Sequence, residues 1–481
     1  MPRRPTAAKL VAAAVAIGLA ACAGCSRPPV AAVGDGRLVG ARGDGTADDG
    51  PAIQAKIDAA GGNVHLPRGV YRITAPLVID LDRVGPTSIS GHGTARIVMA
   101  GAGPALRLVG THRGSAAPRA VADAAWLRQR MPCIDGLEIV GDHPEASGIQ
   151  ADGTMQMTLS RLLVRRCLHG IHFVGSSRNV VISDSHIYDN RGVGIHLDGV
   201  NLHQINVVGC HVSFNRGGGI VCRGGEVRNL QVSGCAIETN HDAEGPPTAN
   251  VLVDSTDGAN AEVAITGCTI QHTRSAPGSA NIRIAGPSRP VTDASERRDG
   301  HVTISGNVLS DTQVNVHLVH VRGATLTGNT MWSGVEANLL AEKSTAVIVG
   351  PNNLDRNPRY GREEAEATDA VILRDCTDCT LSGLQLRGGG RAEAGILLER
   401  CDRINLTGGT ILDCDGAAIL LRDVTRSQVT GCLVRDDRPN AASLSVRVAG
   451  GSENRIVGNL LGRPHDIDAG TADVERNTSD R

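Results

Sequence analysis

The sequence predicts an all-β solenoid of stacked parallel coils, closed at its N-terminal end by a short α-helical cap. Three observations predict it. From about residue 133 one phrase recurs: apolar, any, apolar, any, Gly, then Cys or Asn. It stands as Ile205-Asn-Val207-Val-Gly209-Cys210, Leu230-Gln-Val232-Ser-Gly234-Cys235 and Val263-Ala-Ile265-Thr-Gly267-Cys268. It returns as Val302-Thr-Ile304-Ser-Gly306-Asn307 and, shortened, at Gly328-Asn329, Gly431-Cys432 and Gly458-Asn459. The second observation is spacing: 25 residues separate Cys210 from Cys235, 22 separate Asn307 from Asn329, and 23 separate positions 409 and 432. Short alternating strands repeated in the low twenties stack as a solenoid, because no single coil can bury its own apolar side. The third is composition. The 481 residues include 60 Gly and 41% hydrophobic residues, which supports a core but no long heptad run.

Each element follows from its residues. In the cap, residues 43–73 read as loop, helix, turn and strand. Asp48 or Asp49 caps the first amides and Pro51 suits the first turn. Ala52, Ile53, Lys56, Ile57 and Ala60 make one stripe, Gly61-Gly62 stops it, and Val64-His65-Leu66 starts a strand. The insert Ala120–Arg130, with Trp126, reads as helical and packs over the coils. In the coils, the Gly before Cys or Asn supplies a positive φ at a turn. Asn stacked on Asn can bond along the rod, and Asn190, Asn215 and Asn240, again 25 apart, predict a second such ladder. Some twelve coils at strand spacing would make a rod roughly 55 Å long.

The 43–73 stretch resembles the N-terminal cap of the pectate lyase-like superfamily, of the pectate lyase 3, rhamnogalacturonase and epimerase-like type. The resemblance implies a right-handed parallel β-helix with three strands per coil and a groove on the first-strand face. It is shared by lyases, hydrolases, epimerase-like proteins and phage tailspikes, so it implies a fold more narrowly than a reaction. The organisation expected is a lipoprotein signal peptide over 1–21, a tether over 22–35, a cap with first coils over 36–132, the β-helix over 133–465 and a polar tail over 466–481.

The leader has Arg3, Arg4 and Lys9 before an apolar run too short to span a bilayer comfortably. Leu19-Ala20-Ala21-Cys22 is similar to a bacterial lipobox, which implies lipidation of Cys22, export, and contact with the membrane through that anchor alone. The 48 basic and 50 acidic residues nearly cancel, which gives no drive toward nucleic acid. Of the 13 cysteines, those in the coils are read as free buried thiols, because several sit at one repeat phase where small inward residues belong.

The site follows by counting in twos along the expected first strands. One outward column is His172, His196, Val221, Leu252, Arg283, His317. The next is Val174, Asp198, Arg223, Asp254, Ala285, Val319. The inserts 241–249, 272–280, 286–300 and 355–369 flank the same strands, where loops on a rigid scaffold carry binding residues. The expected catalytic set is His196, Asp198, Arg223 and Asp254. For β-elimination on a uronic acid sugar, His196 is the base and Arg223 or Arg283 neutralises the carboxylate, a task Ca²⁺ can also perform; no metal ligand is assigned. For glycoside hydrolysis, Asp198 and Asp254 are two coils apart, with Cα atoms roughly 9–10 Å apart, nearer an inverting than a retaining pair.

His172, Arg283, His317, Tyr188 and Trp332 are expected to bind substrate, with a second locus at Asp355, Arg356, Arg359 and Tyr360. Arg suits an anionic glycan because its fork matches a carboxylate or sulfate. A polysaccharide is therefore the expected partner. Against a specific family assignment, Gly91-His92-Gly93 lies in the cap and reads as a turn. Aromatic platforms are few, with two Phe, two Trp and three Tyr. The alternative function is a non-catalytic glycan-binding or adhesive rod. The apolar continuation of the first column, Leu340, Ile372, Leu397 and Leu420, admits an assembly face for a homotrimer, provided it is exposed.

Overall fold

A computed structural model describes residues 38–479 except 39, 60–62, 115–116, 287–299, 358–366 and 440. The signal peptide, Cys22, the tether, Arg359 and Tyr360 lie outside the described residues. Among those described, no helix is long and apolar enough to cross a membrane.

The cap helix spans Gly50–Ala59 and buries Ile53 and Ile57. The two aspartates before it divide the labour. Asp48 accepts from the Gly50 amide, while Asp49 turns back to hold the amides of Arg42 and Gly43 at 2.7 and 3.0 Å. A second helix, Asp123–Arg128, lays Ala125 and Trp126 against Val121 and Met155, over the coils as its sequence predicts.

The strands pair in parallel, coil upon coil. Three columns result. The first runs from Leu77–Asp80 to His465–Ile467. The second includes Asn201–Val208, Ala261–Thr266 and Gly300–Ser305. The third includes His211–Ser213, Ala236–Glu238 and Thr269–Gln271. Coiling begins earlier and ends later than the phrase count suggests. Gly91-His92-Gly93 is a turn, with positive φ at His92 and Gly93, but it already joins second-column residues 88–90 to third-column residues 95–99. Residues 466–479, read as a polar tail, supply a last coil: Ala472–Glu475 pairs with Asn454–Val457, and Thr478–Ser479 with Leu460–Leu461. The strands of this coil are exposed and carry polar residues, which hide the repeat.

Inside, like stacks on like. Ile195, Ile220, Val251, Ile282, Val316 and Leu339 lie in register, each essentially inaccessible to water. At a full burial of about 1.5–3 kcal/mol per aliphatic side chain, this stack is the main driving force for coiling. Cys210, Cys235 and Cys268 are free thiols in the same kind of row, each within reach of a backbone carbonyl, at 3.4, 3.4 and 3.3 Å. They take the place that Asn307, Asn329 and Asn352 occupy in later coils. There the amides bond along the rod, at 3.0 Å from Asn307 to Asn329 and again from Asn329 to Asn352. The predicted second ladder forms as well: Asn190 donates to Asn215 at 2.7 Å and Asn215 to Asn240 at 2.8 Å.

Candidate active site

The first-column strands aim the site. In Ile171–Phe173, Ile171 and Phe173 are fully buried, so alternation forces His172 outward. Val193–Asp198 buries Ile195 and Leu197 and presents His196 and Asp198. Register then stacks the coils: His172 on His196, His196 on Val221, and Asp198 on Arg223 and then Asp254. Glycine makes the corner before His196 possible. A Cβ on Gly194 would come within 2.8 Å of both the Asn215 amide and the Gly219 carbonyl.

The expected catalytic set is thus brought together on one face. The rings of His172 and His196 stack 5.1 Å apart at 9°, and His169 lies 5.0 Å from each. Asp198 faces both: its carboxylate is 3.1 Å from His172 Nε2 and 3.9 Å from His196 Nε2. His169 Nδ1 accepts the Val193 amide at 3.2 Å. His196 Nδ1 is buried without a hydrogen-bond partner, so Nε2 is the nitrogen it offers to the surface. Burial pushes His169 and His196 down to about 4, and the Asp198 charge only partly offsets it. One coil on, Arg223 Nε is 3.6 Å from Asp254, which also accepts the Thr256 amide. Val221 and Leu252, in the histidine column, are buried in an apolar floor with Val193 and Ala249.

Farther along, Arg283 Nε donates to His317 Nδ1 at 3.1 Å, and His317 Nε2 donates to Glu342 at 2.9 Å. Arg283 also donates to the Gly278 carbonyl at 2.5 Å. Burial lowers both Arg283 and His317. All of His317's nitrogens are therefore committed within the protein, whereas the His172–His196 pair retains an open side at the half-exposed Asp198.

Sequence reading passed over His169 and Glu342. His169 precedes the corner glycine, where counting in twos from His172 breaks. Glu342 continues the second outward column one coil past Val319, and counting that far would have found it. Beyond it the column becomes closed ion pairs, with Glu399 3.0 Å from Arg374 and 3.5 Å from Arg422.

The remaining predicted residues fall elsewhere. Tyr188 pairs with Arg165 and Ser213 in the third column, around a corner from the histidines. Trp332, Asp355 and Arg356 share a separate cleft of about 310 Å³ with Thr330, Asn353 and Asn357. Arg356 is turned inward, with Nε 3.5 Å from the buried Asp369. A third cleft, of about 470 Å³ and lined by Arg178, His203, Glu226, Arg228 and Glu262, lies on the second column. The apolar continuation of the histidine column is not an exposed face: Leu340, Leu397 and Leu420 are 8%, 6% and 3% accessible in the single chain. The condition for reading it as an assembly surface fails.

Two family profiles match the chain: "Right handed beta helix region" over residues 122–270 and "Periplasmic copper-binding protein (NosD)" over 248–478. No curated protein matches. Among solved structures, the A-module of mannuronan C-5 epimerase AlgE4 from Azotobacter vinelandii is similar at 16% identity and a TM-score of 0.42. The match covers 92% of this chain and 96% of that one. The tailspike protein gp49 of Pseudomonas phage LKA1 is similar at 14% identity and a TM-score of 0.47, covering 91% and 80% of the two chains. The catalytic unit of a GH87 alpha-1,3-glucanase from Streptomyces thermodiastaticus gives 13% identity, a TM-score of 0.39, and coverage of 92% and 68%. The protein is a right-handed parallel β-helix.

Proposed function

We propose that this is an exported carbohydrate-active enzyme that removes the proton beside the carboxylate of a uronate residue in an acidic polysaccharide. The observation that carries the proposal is the registered run Asp198, Arg223, Asp254 beside the His172–His196 pair, on the outward side of one rigid sheet. His196 Nε2 takes the proton. Arg223, 58% exposed, pairs with the sugar carboxylate and stabilises the enolate charge that develops there. Electrons returning from the enolate expel the glycosidic oxygen, which takes up a proton, and leave a carbon–carbon double bond. If the sugar carbon is reprotonated from its other face instead, the product is an epimer. Arg283, two coils beyond Arg223, is placed to hold a second carboxylate.

Glycoside hydrolysis fits the same residues less well. An inverting pair needs one protonated carboxyl. Here Asp198 is 3.1 Å from His172 and Asp254 is 3.6 Å from Arg223, so each carboxylate is already engaged by a neighbour within the protein. Glycan binding without cleavage is the second reading, favoured by the cleft beside Trp332. Export rests on the basic and apolar leader, and anchoring on lipidation of Cys22. The periplasmic designation of the second matching family agrees with export.

The test is incubation with uronate-containing and neutral glycans. The expected result is new ultraviolet absorbance from an unsaturated uronate or, for epimerisation, deuterium uptake from D₂O. His196→Ala should reduce turnover by about 10²–10⁴-fold, and Asp198→Ala and Arg223→Ala should reduce it too, with circular dichroism unchanged. New reducing ends without either signal would replace elimination by hydrolysis. Full activity in all three variants would move the site to the Trp332 cleft.

A further inference from the structure

We propose that His172, His196 and Asp198 form a binding site for a divalent first-row transition metal ion. One donor atom from each of the three lies within 4.8 Å of the others. His172 Nε2 lies 3.1 Å from Asp198 Oδ2 and His196 Nε2 lies 3.9 Å from Asp198 Oδ1, so one carboxylate faces both imidazoles. Metal–nitrogen and metal–oxygen bonds of about 2.0–2.2 Å place neighbouring ligand atoms roughly 3–3.6 Å apart. The three donors start within 4.8 Å of one another and must draw together to that spacing on binding.

The backbone fixes this triangle. His196 and Asp198 stand two residues apart on one strand, both outward, and His172 is in register one coil back. Ile171, Phe173, Ile195 and Leu197, all fully buried, lock those strands from beneath. Donors set on a packed sheet lose little freedom when they bind, which favours a site.

Packing does not explain the histidines. On the next two coils the same outward position holds Val221 and Leu252, which complete the apolar floor. An imidazole there, with a buried Nδ1 that has no partner in His196, is a poorer filler than valine. His169 stands outside the donor set because its Nδ1 accepts from Val193. Two imidazoles and one carboxylate suit Zn²⁺, Co²⁺, Ni²⁺ or Cu²⁺, and not Ca²⁺ or Mg²⁺, which require oxygen ligands. The site leaves coordination positions open toward solvent, at the exposed edge of Asp198. All three donors precede residue 248, where the match to the copper-binding family begins, so the site is inferred from its own geometry.

The consequence for turnover rests on the function proposed above. Proton abstraction and metal binding both use His196 Nε2, so the two exclude each other and the ion acts as an inhibitor that a chelator removes. Metal binding itself does not depend on that reading. The experiment is titration of chelator-treated protein with Co²⁺, followed by visible absorption, and with Zn²⁺, followed by calorimetry and by the unfolding midpoint. We expect one ion per chain, a rise in midpoint, and affinity lowered at least about tenfold in His172→Gln and in Asp198→Asn, with no loss in His317→Gln. Ca²⁺ in excess should not displace the ion. Absence of binding at micromolar metal, or equal affinity in the wild type and both donor variants, overturns the site. Binding with the expected variant pattern but undiminished turnover upholds the site and overturns the assignment of His196 as base.

Discussion

Asp369 shows at one residue how burial sets the chemistry of this rod. Its side chain is 2% exposed, and burial pushes its carboxyl up to about 6 although Arg356 Nε is 3.5 Å away and the Gly334 amide donates to it. The folded state therefore holds the proton longer than the unfolded chain, whose value is 3.8. Stability from this group is full below about pH 4, falls as the pH rises to about 6, and is constant above. A shift of about two units corresponds to about 3 kcal/mol. Asp369→Asn removes the titration, so the stability difference between wild type and variant should change by that amount between pH 4 and pH 7. Urea unfolding at both values checks it, and a difference independent of pH would refute it. The same residue explains where the guanidinium of Arg356 points. Its run of charges looks like a solvated binding loop, but its guanidinium turns back to a carboxylate thirteen positions on, a contact that only the folded loop creates.

Among the elements, the asparagine ladder ties the site's coils to one another. Asn190, Asn215 and Asn240 share a 25-residue spacing, and that much was legible in the sequence. The ladder then continues through Asn250, Asn281, Asn315 and Asn338, with amide contacts of 2.7–2.9 Å. This half was not legible, because the ladder passes from the end of a third strand to the start of the next first strand, ten residues along. A fixed period cannot follow it across an inserted loop. The outward columns were legible for the opposite reason: buried residues on alternate positions fix the face whatever the loop lengths. Asn215 is the informative position. It donates to the Ile187 carbonyl at 3.1 Å and to Asn240, accepts from Asn190, and packs against the corner glycine before His196. Asn215→Ala strips partners from buried polar groups on both neighbouring coils, at about 1–3 kcal/mol for each group left unsatisfied. We expect a loss of about 3 kcal/mol in chemical unfolding with an unchanged denaturant slope. A loss below about 0.5 kcal/mol would mean that water replaces the amide and that the ladder is not a structural spine.

At the scale of the whole molecule, the question is whether the long apolar column joins chains or belongs to one. Sequence counting correctly aligned Leu340, Ile372, Leu397 and Leu420, and register confirms the alignment. It could not see that the column is closed within the chain, where Leu397 packs with Ala394, Ala417 and Leu420 and is only 6% accessible. A side chain buried in the monomer contributes to the monomer's own stability, whereas one buried only by association contributes to the association constant, and concentration separates the two. Leu397→Asp places a charge among these apolar neighbours. If the column is internal, the variant should unfold at lower denaturant by several kcal/mol. Its molar mass by light scattering should equal the wild type's, and the wild-type midpoint should not move over a hundredfold range of protein concentration. If the column is a trimer contact, the wild-type midpoint rises with concentration and the variant's mass falls toward one chain with its fold intact. The burial within a single chain favours the first outcome, and with it a rod whose first-strand face is left free, over the histidines, for a glycan.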